Sequence, residues 1–260
     1  MKTEGTVVQE KVHLTHNREI ARDYFELEFS CDFSDKNIPL PGQFLTVKIG
    51  EGPAPLLRRP FAFAGHGDGK ARMIYQRRGP GTDMLAGMRE GDALDIIAPL
   101  GNSWPEPEKN EHPVLVAGGI GMGPILYFAR GLKQAGRDFT LIIGARSGEY
   151  LPDSSITEDL VPLFATDDGS IGIHGTVVDA LPSQYPAHPR FYACGPNPMM
   201  MAIHRKALEL DAPCSVSMEQ TMACGVGACM GCVIRLTGHE RYARVCADGP
   251  IFDSRDIQWN

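Results

Sequence analysis

Several things are missing from this sequence. The first twelve residues, MKTEGTVVQEKV, hold no apolar stretch of the kind that directs secretion. The longest apolar-looking run, Val114 to Ala129, is broken by five Gly or Pro residues between Gly118 and Pro124. It is too short to span a bilayer. A basic excess is also missing: Lys and Arg number 25 against 32 Asp and Glu, for a formal charge of -7. Nothing in that balance draws the chain to nucleic acid or to an anionic membrane. There is no internal repeat and no low-complexity segment. The eight histidines form no ligand cluster, and no Ser-His-Asp order, carboxylate pair or metal-hydrolase motif is present. No side chain is therefore expected to act as a catalytic acid, base or nucleophile. These absences leave a cytoplasmic chain whose cysteines stay reduced or metal-bound.

What is present is concentrated. The 260 residues suffice for two domains or three small ones, and 43% are hydrophobic, enough for real cores. Gly (29) and Pro (20) are plentiful, which suggests tight turns and phosphate-cradling loops. Four of the seven cysteines, Cys224, Cys229, Cys232 and Cys246, lie near the end. Their spacing is C-x4-C-x2-C, then thirteen residues, then C. Gly225, Gly227 and Gly231 let the backbone curl around a metal centre. This is the spacing of plant-type ferredoxins that hold a [2Fe–2S] cluster. The alternative is a structural zinc site, which more often uses two close pairs across a long gap.

Up to about Leu100 the chain reads as short strands: Tyr24 to Ser30, Phe44 to Ile49, Arg59 to Ala64, Ala71 to Arg77 and Ala93 to Ile97. Phe25, Leu27 and Phe29 share one face, as do Leu45, Val47 and Ile49. Turn clusters PLPGQ, GEGPAP and GHGDGK separate the strands. The pattern predicts a small antiparallel barrel or sandwich. Arg58-Arg59-Pro60-Phe61-Ala62-Phe63 offers an arginine for a diphosphate and an aromatic for a ring system. It also reads as an exposed arginine pair beside core phenylalanines. Gly81-Thr82 precedes a helical DMLAGM, with Thr82 as a possible cap and an anion expected at the helix start. Ala98 to Asn102 reads as a loop closing the barrel.

From His112 the pattern changes to strand, turn, helix. Val114 to Ala117 is a buried strand, Gly118 to Pro124 a tight turn, and Ile125 to Gln134 a helix ended by Gly136. Strands follow at Phe139 to Gly144, Leu163 to Thr166 and Phe191 to Ala193, and a helix at Met199 to Leu210. This alternation predicts a doubly wound parallel sheet. The turn reads G-G-x-G-x-x-P. It serves either close approach of a pyrophosphate or close packing of a helix on the sheet. Cys194-Gly195-Pro196 falls on the carboxyl edge, where such folds bind ligands. Thr166 to Ser170 and Gly175 to Val177 read as an acidic turn and a helix start that could also face a nucleotide. Arg146-Ser147 could accept a 2′-phosphate or be an ordinary loop pair. These residues leave NAD and NADP both open.

Taken together, the motifs resemble the ferredoxin reductase superfamily: Arg59-Pro60-Phe61-Ala62, Ile74-Tyr75-Gln76 and Gly81-Thr82, then Gly119, Gly121 and Pro124, then Cys194-Gly195-Pro196. The resemblance implies FAD on the first set, a pyridine nucleotide on the second and nicotinamide near Cys194. Ala62 departs from the Ser or Thr usual there, removing a hydroxyl from near flavin N5. With EQTMACGVGACMGCV and VCADGPIF added, nearly the whole chain resembles the electron-transfer subunits of class 1B dihydroorotate dehydrogenases. That resemblance implies an α+β multidomain chain: residues 1–102 an FAD-binding β-barrel, 103–212 an NAD-binding α/β domain, 213–260 a small [2Fe–2S] domain. It also implies an obligate FMN-containing catalytic partner, two of each subunit in a heterotetramer. Electrons would pass from dihydroorotate through the partner's FMN, the cluster and FAD to NAD+, within pyrimidine biosynthesis. Two other readings remain: an electron-transfer subunit of another oxidoreductase, such as a soluble hydrogenase, and a zinc-stabilised binding module without redox chemistry.

Overall fold

A computed structural model describes residues 6–33, 37–50, 52, 54–238 and 241–259. Glu51 and Pro53 of the expected GEGPAP turn lie outside them. Six antiparallel strands close a barrel: β1 (Val8–Ala21), β2 (Tyr24–Ser30), β3 (Phe44–Lys48), β4 (Arg59–Gly67), β5 (Lys70–Gln76) and β6 (Ala93–Leu100). The order around the barrel is β1-β2-β5-β4-β3-β6. Its interior holds the alternate residues of each strand, among them Leu27, Phe29, Leu45, Val47, Phe63, Met73, Tyr75 and Ile96. Asp68 and Gly69 turn β4 into β5, both with positive φ (53° and 69°). That geometry matches the twist of a tight hairpin. Helix α1 (Pro80–Ala86) lies between β5 and β6.

The first strand is the element the sequence hides. Its buried residues Val12, Leu14 and Ile20 have even spacing, but His16 and Arg18 between them are not buried, so the alternation is broken. Register shifts against β2 between Leu14 and His16, and between Glu19 and Ala21, are the reason. At the other end, Ala98 to Leu100 is strand rather than loop, and only Gly101 and Asn102 turn away.

The second half is one seven-stranded sheet: β7 (Glu111–Gly118), β8 (Thr140–Ala145), β9 (Leu163–Thr166), β10 (Ile173–His174), β11 (His188–Cys194), β12 (Cys214–Ser217) and β15 (Ile251–Asp253). The order is β10-β9-β8-β7-β11-β12-β15, parallel except for β15. All eight residues of central β7 are buried, as a strand covered on both faces requires. Helix α2 (Met122–Gln134) packs with Leu115, Ala117 and Tyr192 on one face. Helix α4 (Asn197–Glu209) packs with Val114, Val116 and Phe191 on the other. Helix α3 (Ser154–Thr157) is one turn, started by Asp153. No helix forms at Gly175 to Val177.

A small hairpin, β13 (Val233–Arg235) and β14 (Tyr242–Arg244), completes the chain. The sheet continues across the expected 212/213 boundary, because β12 and β15 are two of its strands. The barrel is tied to the same edge. Asn102 Nδ2 donates to the Ile251 carbonyl and its Oδ1 accepts from the Ile251 N–H, both at 2.9 Å. Among the described residues no helix is long and apolar enough to cross a membrane.

Candidate functional site

The sulfur end is built by one irregular loop and one hairpin. Cys232 enters β13, Cys246 follows β14, and the pairing of Val233 with Arg244 returns the chain beside itself. The two sulfurs then stand 3.2 Å apart, both buried. Cys224 and Cys229 lie in the loop, half-buried and exposed respectively. Every one of the four sulfurs accepts a backbone N–H. Cys229 donates to Cys224 at 3.4 Å, Gly231 to Cys229 at 3.4 Å, Cys246 to Cys232 at 3.4 Å and Gly227 to Cys246 at 3.1 Å. N–H groups aimed at sulfur favour thiolate and tune iron–sulfur centres.

The Cys224 thiol is held down to about 6, first by the Val226 N–H and then by that of Cys229. Burial, and then the adjacent Cys232 sulfur, push Cys246 up to about 12. A bound cation relieves that strain by displacing the proton. The sulfurs fall into two pairs, 224 with 229 and 232 with 246. Among the described residues no three His, Cys, Asp or Glu side chains converge on a single ion. Two pairs of soft donors fit a two-iron cluster.

Arginine fixes the loop. Arg244 grips Asp248 through Nε and Nη2, each at 3.0 Å, and its Nη1 donates to the Gly227 carbonyl at 3.0 Å. Gly225, at φ 71°, lies flat on the barrel. A Cβ there would stand 2.8 Å from Thr46 Cγ2 of β3. The cluster loop therefore rests directly on the barrel wall.

Next to this loop is a cleft. Its narrow part, about 130 Å3, is walled by Pro60, Phe61, Ala62 and Ile74 of the barrel, Gly121 and Pro124 before and within α2, and Cys194 and Gly195 after β11. A wider part, about 800 Å3, reaches Arg59, Gln76 and Pro196. Strand alternation divides the expected Ile74-Tyr75-Gln76 set. Ile74 and Gln76 face the cleft, but Tyr75 is 0% exposed inside the barrel, its hydroxyl donating to Asn17 Oδ1 at 3.1 Å. Tyr75 is thus a core residue.

Arg58 is taken up by Asp95, with Nη2 to Oδ1 at 2.7 Å and Nη1 to the carbonyl at 2.8 Å. Among the described residues Arg59 has no carboxylate partner, and it donates to the Leu57 carbonyl at 2.6 Å. A Cβ on Gly81 would stand 3.6 Å from Arg59 Nε, so the arginine lies at the start of α1. Thr82 is not the N-cap of that helix, which begins two residues earlier at Pro80, but its third residue, closing a capping box on Gly79. Its hydroxyl accepts from the N–H groups of Arg78 (2.9 Å) and Gly79 (3.2 Å). It shapes the turn and leaves the first-turn N–H groups beside Arg59. A guanidinium there suits a diphosphate. Arg59→Ala is expected to weaken retention of a flavin dinucleotide about tenfold or more. Flavin per chain after gel filtration reads this.

The third wall is the carboxyl edge of the sheet. β7 and β11 are neighbours, and chain order reverses there, so Gly119 and Cys194-Gly195-Pro196 flank a topological switch point. A pocket of about 450 Å3 opens on it, lined by Gly118, Gly119, Pro196, Arg146, Asp167 and Thr176 among others. Gly121 serves packing: a Cβ there would sit 2.0 Å from the Cys194 carbonyl oxygen. Burial pushes the Cys194 thiol up to about 12, although the residue keeps some exposed surface. Sequence reasoning missed Tyr24, Arg78, Tyr150, Glu219 and Met222 as wall residues. Tyr24 was within reach of alternation, since it precedes the inward-facing Phe25.

Comparison with known proteins agrees with this geometry. Residues 219–258 match the family model for the iron–sulfur cluster binding domain of dihydroorotate dehydrogenase B. The dihydroorotate dehydrogenase B (NAD+) electron transfer subunit of Shouchella clausii is 36% identical over 257 residues, covering 96% of this chain and 98% of the relative. That of Geobacillus thermodenitrificans is 34% identical, covering 96% and 98%. Among solved structures, an NADH-dependent reduced ferredoxin–NADP oxidoreductase described for flavin-based electron bifurcation is 31% identical. It superposes with a TM-score of 0.83, over 95% of this chain and 90% of that one. Phthalate dioxygenase reductase, at 21% identity and TM-score 0.62, covers 88% and 87% and shares the fold. With such relatives matched over almost their whole length, the chain belongs to the family of electron transfer subunits of dihydroorotate dehydrogenase B.

Proposed function

We propose that this chain is the NAD-linked electron-transfer subunit of a dihydroorotate dehydrogenase B, working with a separate catalytic subunit in pyrimidine biosynthesis. The partner carries FMN and oxidises dihydroorotate, the complex holds two of each subunit, and it resides in the cytoplasm. One observation carries this reading. Pro60 of the barrel, Gly195 of the sheet and Met222 of the cluster loop each wall both parts of the cleft. Three segments of the chain therefore meet on one space.

When bound, FAD exchanges electrons in pairs or singly, the [2Fe–2S] cluster singly, and the nicotinamide as hydride. The chain's own residues bind, orient and exclude water. Arg59, with the start of α1 at Gly81 and Thr82, holds the flavin's diphosphate. Pro60, Phe61, Ala62, Ile74 and Gln76 line its cleft. Gly119, Pro124, Cys194, Gly195 and Pro196 receive the pyridine nucleotide. Cys224, Cys229, Cys232 and Cys246 hold the irons. No side chain has to take or give a proton.

A second reading, an electron-transfer subunit of another oxidoreductase, has one specific support: the bifurcating oxidoreductase at 31% identity and TM-score 0.83. Coexpression with the catalytic subunit of the same organism separates the two. The purified complex is expected to show flavin and iron–sulfur bands and to reduce NAD+ with dihydroorotate. A chain that reduces dyes with NADH but never captures a dihydroorotate-oxidising partner would overturn the first reading in favour of the second.

A further inference from the structure

One tyrosine of the barrel turns its hydroxyl toward the glycine turn of the sheet. Tyr24 opens β2 and is 6% exposed. Its ring packs in the cluster that joins Ile20, Ala64 and Ile74 of the barrel to α2. Its hydroxyl has no hydrogen-bond partner among the described residues. The hydroxyl is not sealed from water but opens on the cavities, where a ligand can take its hydrogen bond. The side chain lies on the wall of both the 450 Å3 pocket and the 800 Å3 cleft. Its oxygen stands 3.1 Å from where a Cβ on Gly119 would be, and Gly119 itself has φ +53°. The hydroxyl therefore sits over the glycine turn that precedes α2.

The surroundings specify an anion. After desolvation, which keeps the phenol protonated, the charges that bear most on Tyr24 are Arg146 and then Arg78. Arg146 lies over the Tyr150 ring, 4.6 Å from its centroid, and makes no ion pair among the described residues. Arg78 has only a loose contact with Glu219, at 3.7 Å between two exposed side chains. A protonated hydroxyl that shares one cavity wall with Arg146 and another with Arg78, beside a glycine turn at a helix start, fits a phosphate oxygen.

We propose that Tyr24 donates a hydrogen bond to the diphosphate of the bound pyridine dinucleotide, so that the barrel supplies a binding residue to a ligand held by the sheet. This rests on the NAD-linked reading above. The same chemistry would suit the diphosphate of the flavin. The pyridine nucleotide is favoured because Gly119, beside the hydroxyl, and Arg146, the charge that bears most on it, belong to the sheet's carboxyl edge, while Arg78 comes from the barrel and is second. Arg59, the flavin-side arginine, is not among the charges that act on it.

The test is calorimetric titration of the holoprotein with ADP-ribose, which carries the diphosphate without the nicotinamide. Flavin content and thermal midpoint are measured on the same samples. Tyr24→Phe keeps the ring and removes only the hydroxyl. It is expected to weaken ADP-ribose binding about tenfold, with flavin content and midpoint unchanged. Arg146→Gln, at an exposed position, is expected to weaken it too and to flatten its dependence on salt. Unchanged ADP-ribose affinity in Tyr24→Phe overturns the proposal. So does a loss of flavin with normal affinity in the flavin-loaded fraction, which would assign the hydroxyl to the flavin. A wild-type protein that bound no ADP-ribose would overturn the NAD-linked reading, and this inference with it.

Discussion

Cys229→Ser is expected to yield a folded, flavin-containing protein with its cluster lost, and transfer to the catalytic subunit reduced about a hundredfold or more. The magnitude follows from metal sites in general, where loss of a group that merely orients a ligand costs 10- to 100-fold. Loss of a ligand exceeds that. Cys229 is the clean choice because it is exposed, whereas Cys232 and Cys246 belong to the core shared with β11 and α4. Serine at 229 leaves the Arg244 grip on Asp248 and Gly227 in place. The flavin cleft keeps its walls, because Cys229 is not one of them. Reduction of an artificial dye by NADH should therefore persist. Iron per chain, the visible spectrum before and after dithionite, and the two activities measured side by side check this. Full-rate transfer to the partner by an iron-free variant would sink the assignment of the four cysteines.

The same substitution separates what the sequence displays from what it conceals. Three of the cluster cysteines are legible because they are local: their spacing and intervening glycines are set within nine residues. The fourth is brought in by the β13–β14 hairpin, whose three-residue strands are too short to show a period. β12 and β15 are hidden likewise, at four and three residues, so the tail's contribution to the sheet cannot be read from pattern. Among the barrel strands β2 is the most legible, because buried Phe25, Leu27 and Phe29 alternate with the less buried Glu26 and Glu28. β1 is not legible, because its bulges shift the alternation.

The candidate site shows the same division. The motifs marked which turns matter, but not which face each side chain takes. Alternation removes Tyr75 from the cleft and puts Tyr24 into it. An ion pair with Asp95 removes Arg58 and leaves Arg59. Such choices depend on neighbours that are distant in the chain, so only the fold makes them. The fold also explains why the cluster lies so near the flavin cleft. β12 and β15 carry the tail to the sheet edge beside β11, and Asn102 ties that edge to the end of the barrel.

Gly121→Ala tests the join where these parts meet. A Cβ on Gly121 would lie 2.0 Å from the Cys194 carbonyl oxygen, 2.3 Å from its carbon and 2.8 Å from the Gly195 nitrogen. All three are backbone atoms, so no rotamer change relieves the clash. The strand end cannot withdraw either. β11 is paired to β7 from His188 through Cys194 and to β12 from Phe191 through Cys194. The turn must move instead, and α2 with it, though α2 is wedged against β4 and the sheet. Overpacking of well-ordered cores costs about 1–3 kcal/mol, and a backbone-to-backbone clash belongs at or above the upper end. The melting midpoint should fall about 6 °C or more. Flavin and pyridine-nucleotide binding should weaken together, because Gly121 and Cys194 wall the same space.

Gly131→Ala is the control. It lies in the interior of α2, where a Cβ would meet nothing within 4 Å. Helix propensity then favours alanine by about 1 kcal/mol, raising the midpoint by about 2–4 °C. The same change of one hydrogen for one methyl, ten residues apart, should thus have opposite signs, read by thermal denaturation of both variants with bound flavin quantified. Equal midpoints for the two would mean that the glycine turn is not pressed against β11.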